Sequence, residues 1–164
     1  KKSLKNLLLQ KKLISIIENQ NFFSLIYVKE FANSLVLTIN KNNIEFKLPI
    51  DLNIFVKNIY EELNDIEINF ADGAYFPYQR LLKNKNNKKI YLSYLQNIIL
   101  SNLIVSKEGI EKFVLYKIIW PKDINVSINK LDTHLTNLKV HINANLCLKI
   151  NFQSQNKVLK LIIN

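Results

Sequence analysis

The chain has 164 residues, 48% of them hydrophobic, and its 23 Lys and Arg against 13 Asp and Glu give a formal net charge of +10. That length suffices for one good core or two small ones, and no apolar run approaches a membrane span. A single cysteine, Cys147, excludes an internal disulfide or a cysteine metal cluster, so the expectation is a cytoplasmic protein without a signal peptide.

The charge is uneven. Lys and Arg number nine against six acids in residues 1–64, and fourteen against seven in residues 65–164. A basic second half suits a polyanionic partner. The abundance of Lys, Asn and Ile, with Arg80 as the one arginine, is also what an A·T-rich genome would encode.

In chain order, residues 3–19 place Leu4, Leu7, Leu8 and Ile14 at helical spacing, with Ser3 as a cap. The short apolar runs 22–28, 34–38 and 44–48 read as strands. Pro49 stops the last of these, and Asp51 can cap a helix carrying Leu52, Phe55, Ile59, Tyr60 and Leu63. These elements form a small N-terminal α/β region, 1–64. Residues 64–73 are a plausible boundary, and 65–164 is the second domain.

From Ile66 onward the strand signals are short: IEINF, AYF and QRLL, then a lysine-rich turn at 83–89 leading into 89–92 as a hairpin. Ser93 and Gln96 form a capping box, opening a helix through Ile98, Ile99 and Leu103. A second helix, about 108–120, carries Phe113, Leu115, Tyr116 and Ile119, and Trp120 anchors its end in the core. On a third helix Ile128, Leu131, Leu135, Leu138 and Ile142 form one apolar stripe. The opposite side carries Asn129, Lys130, Thr133, Thr136, Asn137 and Val140, with His141 beside them and Asp132 on the flank next to Lys139. The strand-like runs 146–152 and 157–163 follow, separated by a polar turn at 153–156, with Cys147 expected as a small buried strand residue.

Catalytic chemistry has no motif here. His134 and His141 stand seven residues apart without a cysteine or clustered carboxylate, which is not the i, i+4 metal pair, and His134 reads as a packed, hydrogen-bonded histidine. Gly73 and Gly109 are isolated, so no phosphate-binding glycine loop exists. No enzyme activity, metal or cofactor is expected.

Residues 118–142, IIWPKDINVSINKLDTHLTNLKVHI, resemble the end of the winged-helix DNA-binding domain of OmpR/PhoB-type response regulators, in particular its alphaproteobacterial form. Leu131-Asp132-Thr133-His134-Leu135 stands where that form has a Leu-Glu-Thr-His-Ile-type core. Phe76-Pro77, Arg80-Leu81-Leu82 and Ile90-Tyr91-Leu92-Ser93 match its earlier landmarks. The resemblance implies an α+β fold: a winged helix-turn-helix with a small antiparallel sheet, three helices and a C-terminal β-hairpin wing. Two departures stand out: the family's Gly-Gly-Tyr-type wing element is absent, and Asn137 and Lys139 replace arginines of the recognition helix. Residues 46–63, FKLPIDLNIFVKNIYEEL, are similar to the last strand and helix of a receiver domain. No aspartate occurs before Asp51, so this would be a truncated, degenerate receiver without a phosphorylation site.

The function so implied is sequence-dependent binding of duplex DNA as a transcription regulator, not controlled by phosphorylation. Asn129, Lys130, Thr133, Thr136 and Asn137 would face bases and nearby phosphates, and Lys112 would position the backbone. Asn156 and Lys157 would serve the wing. The loop 121–126, from Pro121 to Val126, is a candidate contact for RNA polymerase. A homodimer through the N-terminal region is expected if Leu52, Phe55, Ile59 or Tyr60 stay partly uncovered; helix 3–19 could instead cover them. The rival reading is a protein-interaction or dimerisation module built on a former DNA-binding winged helix.

Overall fold

The computed structural model describes residues 26–30, 33–39 and 42–163. These fall into two compact units, one ending at Ile66 and one beginning at Glu67. The helix expected over 3–19 lies outside the described residues, as does the start of the strand expected over 22–28.

The first unit opens with an antiparallel meander of β1 (Ile26–Glu30), β2 (Ser34–Ile39) and β3 (Asn42–Lys47) in that spatial order. Alternation along the strands turns Leu35, Leu37 and Phe46 inward. Helix α1 (Leu52–Asn64) begins where the Asp51 carboxylate accepts from the Asn53 N–H at 2.7 Å and from the Ile54 N–H. Its inner face buries Phe55, Ile59 and Leu63, and Phe55 meets Phe46 edge to face at 5.1 Å.

One expectation is narrowed here and one is corrected. Phe55 and Ile59 are covered, at 1% and 3% exposure, with Phe46 of the meander against Phe55, whereas Tyr60 stays partly uncovered, as does Ile54. Among the described residues the expected α/β arrangement is corrected to an antiparallel meander followed by one helix. Its strands pair antiparallel, whereas a receiver's sheet is parallel and doubly wound.

The second unit starts with a four-stranded antiparallel sheet, β4 (Ile68–Phe70), β5 (Gly73–Phe76), β6 (Leu81–Asn84) and β7 (Lys89–Tyr91), paired in chain order. Ile68, Tyr75, Leu82 and Ile90 stand opposite one another across the four strands and turn the same face to the core. The side-chain carbonyl of buried Asn84 accepts from the N–H groups of Asn86 and Lys88, shaping the turn, and its amide donates to the Leu146 carbonyl at 3.0 Å.

Helix α2 (Tyr94–Val105) starts at a capping box: Ser93 Oγ accepts from Gln96 N–H at 3.2 Å, and Gln96 Oε1 accepts from Ser93 N–H at 3.0 Å. This helix also buries polar groups. The Tyr75 hydroxyl lies 2.7 Å from Asn97 Oδ1 and 2.6 Å from Ser101 Oγ, and the Asn97 amide donates to the Pro77 carbonyl at 3.1 Å. Satisfied in this way, the cluster fixes how α2 sits on the sheet. Burial pushes the Tyr75 phenol far above its ordinary range.

The next element begins later than its periodicity predicts. Ile110–Glu111 is a short strand, β8, and helix α3 runs Lys112–Ile119. β8 pairs with the last strand of the chain, which claims backbone that the helical spacing alone would assign to α3. Gly109, at φ +96°, makes the bend into β8, where an added Cβ would lie 2.6 Å from a Val158 methyl. Helix α4 (Ile128–Leu146) buries Leu131, Leu135, Leu138, Ile142 and Leu146 in the core. The chain closes with β9 (Ile150–Gln155) and β10 (Val158–Ile163), in a three-stranded sheet of order β8-β10-β9.

The expected strand 146–152 is corrected to Ile150–Gln155. Leu146 and Leu148 are both buried, which mimics strand alternation, but α4 runs through Leu146 and Cys147 turns left-handed at φ 56°. Cys147 is therefore an exposed helix cap and not a buried strand residue. Asn143 secures the return: its amide donates to the Ile150 carbonyl at 3.1 Å and its Oδ1 accepts from the Ile150 N–H at 3.0 Å. The final turn is also tighter than expected. Gln155 pairs with Val158, so two residues, Asn156 and Lys157, close the hairpin with positive φ, the geometry of a type I′ turn.

Candidate functional site

One long side of α4 is exposed. Asn129, Thr133, Thr136, Asn137, Val140 and Ala144 all face solvent, and at about 100° per residue they share a stripe roughly 100° wide. The Thr133 hydroxyl donates to the Asn129 carbonyl and that of Thr136 to the Asp132 carbonyl, both at 2.9 Å. Each threonine has thus used its proton on its own helix and presents a methyl and a lone pair. The side-chain amides of Asn129 and Asn137 have no hydrogen-bond partner among the described residues.

The charged side chains of α4 lie beside that stripe and are engaged. Lys130, assigned from the sequence to the polar face, places its ammonium 3.0 Å from Asp123 Oδ2 and 4.0 Å from the centre of the Trp120 ring. Tyr116 completes the cluster, donating its hydroxyl to Asp123 Oδ2 at 2.8 Å, with its ring centre 4.6 Å from that of Trp120 and tilted by 52°. Lys117 adds a hydrogen bond to the Asp123 carbonyl. The hydrogen bond from Lys130, then that from Tyr116, hold the Asp123 carboxyl below the usual carboxylate range.

Asp132 does not pair with Lys139. It takes Lys112 at 2.7 Å, and that lysine side chain is only 19% exposed. Lys139 instead donates to Asn151 Oδ1 at 2.9 Å, tying α4 to β9. His134 packs against Trp120 at 5.5 Å without a hydrogen bond among the described residues, so its expected polar partner is absent there. His141 Nδ1 lies 3.4 Å from Gln96 Oε1.

Asn156 and Lys157 are exposed at the hairpin tip, and the Lys157 carbonyl accepts from the Lys112 N–H at 3.0 Å. A groove of about 450 Å³ separates the hairpin from the starts of α3 and α4; its walls include Lys112, Phe113, Val126, Ile128 and Lys157. The fold thus brings Lys112 and Lys157 to one groove.

Other features could not be read from local pattern. Phe113 is 55% exposed, and Val114 and Ile118 are exposed beside it. In the 121–126 loop Ile124 is 92% exposed. Tyr116, Trp120, Asp123 and Lys130 do occur at close spacing in the sequence, but no periodicity marks them as one cluster. Among the described residues no group of three His, Cys, Asp or Glu could hold a metal ion, and no helix is long and apolar enough to cross a membrane.

No protein-family model matches the chain, and no curated protein matches it significantly. Among solved structures the chain is similar to the DNA-binding domain of E. coli CadC, at 15% identity and a TM-score of 0.49, covering 58% of this chain and 91% of that one.

Proposed function

We propose that the second unit binds duplex DNA as a winged helix, with α4 in the major groove and the β9–β10 hairpin as the wing, and that the protein regulates transcription. One observation carries this reading: α4 buries one apolar stripe and leaves the opposite one to solvent, with Asn129 and Asn137 unpartnered. Its 19 residues span roughly 28 Å, and a major groove about 12 Å wide admits a helix of that kind. The element order of the unit, a sheet, three helices and a hairpin, supports this reading. The +7 balance of residues 65–164, with exposed Lys122, Lys149 and Lys157, supplies attraction to phosphate.

In this reading Asn129, Thr133, Thr136 and Asn137 meet bases, and Asn156 and Lys157 meet the backbone. Lys112 and Lys130 act indirectly, by holding α3 and the 121–126 loop against α4. The exposed loop is where RNA polymerase would dock. In this reading phosphorylation has no part: residues 1–50 carry no aspartate, and the described strands of the first unit pair antiparallel, unlike those of a receiver. With Phe55 and Ile59 covered, a homodimer through that unit would rest on exposed Ile54 and Tyr60.

Fluorescence anisotropy with a random-sequence duplex tests the proposal. Binding should weaken steeply as salt rises. Exposed Phe113, Val114, Ile118 and Ile124 favour a second reading, a protein-docking module. No DNA binding at low salt would leave that reading standing.

A further inference from the structure

We infer that α4 selects A·T base pairs in the major groove, through a contact face that carries no charge; this rests on the DNA-binding reading above. The exposed stripe is Asn129, Thr133, Thr136, Asn137, Val140 and Ala144: two amides and four methyl-bearing side chains. The two cations of the helix are withdrawn from it. Lys130 is held by Asp123 over Trp120, and Lys139 by Asn151.

The chemistry of the groove turns this arrangement into a preference. Guanine presents two acceptors, N7 and O6, and is read by a cationic donor such as Arg or Lys. This stripe has none, and its threonine hydroxyl protons are committed to the Asn129 and Asp132 carbonyls. A G·C pair against Val140 or a threonine methyl would lose water from guanine O6 without regaining a bond, since no hydroxyl proton of the stripe is free to donate to it. An A·T pair suits the same surface: an Asn side chain can pair with adenine N6 and N7, and methyls pack on the thymine C5-methyl. Asn129 and Asn137 are eight residues apart, about 12 Å of helix rise, the span of three to four base steps.

The test uses the full chain and four duplexes of equal length in one buffer: A·T-rich, G·C-rich, the A·T-rich duplex with uracil for thymine, and an inosine·cytosine duplex. Uracil removes only the major-groove methyl. Inosine keeps the major-groove face of guanine but removes its minor-groove amino group. The expected result is binding about tenfold tighter to A·T-rich than to G·C-rich DNA, a loss of several-fold with uracil, and inosine·cytosine behaving as G·C. Asn137→Lys, a change on the exposed face, should narrow the gap by strengthening G·C binding. Equal affinity for all four duplexes would overturn the selectivity and leave DNA binding intact. Inosine·cytosine binding as A·T does would overturn it in favour of minor-groove reading. Failure to bind any duplex at low salt would remove the DNA reading and this inference with it.

Discussion

Lys130 ends in a site formed by Asp123, Trp120 and Tyr116, and its charge is balanced inside the fold. Lys130→Ala should therefore lower stability, by about 0.5–1 kcal/mol for the lost cation–π contact, while the salt dependence of DNA binding hardly moves. A slope reduced by one phosphate's worth would show instead that Lys130 leaves Asp123 for DNA. The Asp123 carboxyl is depressed in the fold, so the stability it adds is fully present above its ordinary, unfolded range. That contribution is lost as pH falls through the lower folded value. In acid melts Asp123→Asn should flatten this part of the pH dependence; an unchanged slope would remove Asp123 from the account. The exposed Asn137 side chain makes no hydrogen bond or ion pair among the described residues, so Asn137→Ala should leave circular dichroism unchanged. Its cost, about 1–3 kcal/mol, should appear on the preferred DNA site alone.

At the scale of elements, two side-chain contacts secure the C-terminal end of α4. Asn84 from the β6–β7 hairpin bonds its last carbonyl, and Asn143 holds the start of β9 across the Cys147 turn. The Asn84 contact gives a terminal helix carbonyl a partner that the helix itself lacks, and the Asn143 contact does the same for the edge backbone of Ile150. Asn84→Ala removes one hydrogen bond to α4 and two that shape its own turn, so urea unfolding should show a loss of about 1–3 kcal/mol. A variant as stable as the parent would mean that water satisfies these groups equally well. α3 is amphipathic in an unusual direction: Leu115 and Tyr116 go inward, while Phe113, Val114 and Ile118 remain outside.

For the whole molecule, the two units differ in how much core each possesses. Among the described residues the first buries Leu35, Leu37, Phe46, Phe55, Ile59 and Leu63, whereas the core of the second draws on all three of its helices and both its sheets. A unit of some forty residues with so small a core is marginal by itself. Amide exchange should accordingly be faster in β1–β3 and α1 than in α2, α4 and β10. Equal protection would show that the first unit draws stability from beyond its own core. Acetyl phosphate with magnesium should leave the mass of the chain and its DNA affinity unchanged, and an acid-labile adduct in residues 1–64 would contradict this.

Local pattern was enough for much of the fold. The five-residue stripe of α4, the Ser93–Gln96 box, the Asp51 cap and the strands of the β4–β7 sheet follow from periodicity and capping, because each depends on neighbours within a few positions. The exposed stripe of α4 was legible for the same reason: a helix that buries one side must show the other. Tertiary structure decided what local spacing leaves open. β10 pairs with Ile110–Glu111 and shortens α3; Asn143 reaches Ile150 and ends a strand-like run; Phe46 of the β1–β3 meander lies against Phe55. It decided the charges too. Lysines at positions 112 and 130 look available on a helical wheel, but Asp132 lies twenty residues from one, and Trp120 and Asp123 lie in the loop that folds back on the other. Ion pairing is set by distance in space, and a helical wheel records distance only along one helix.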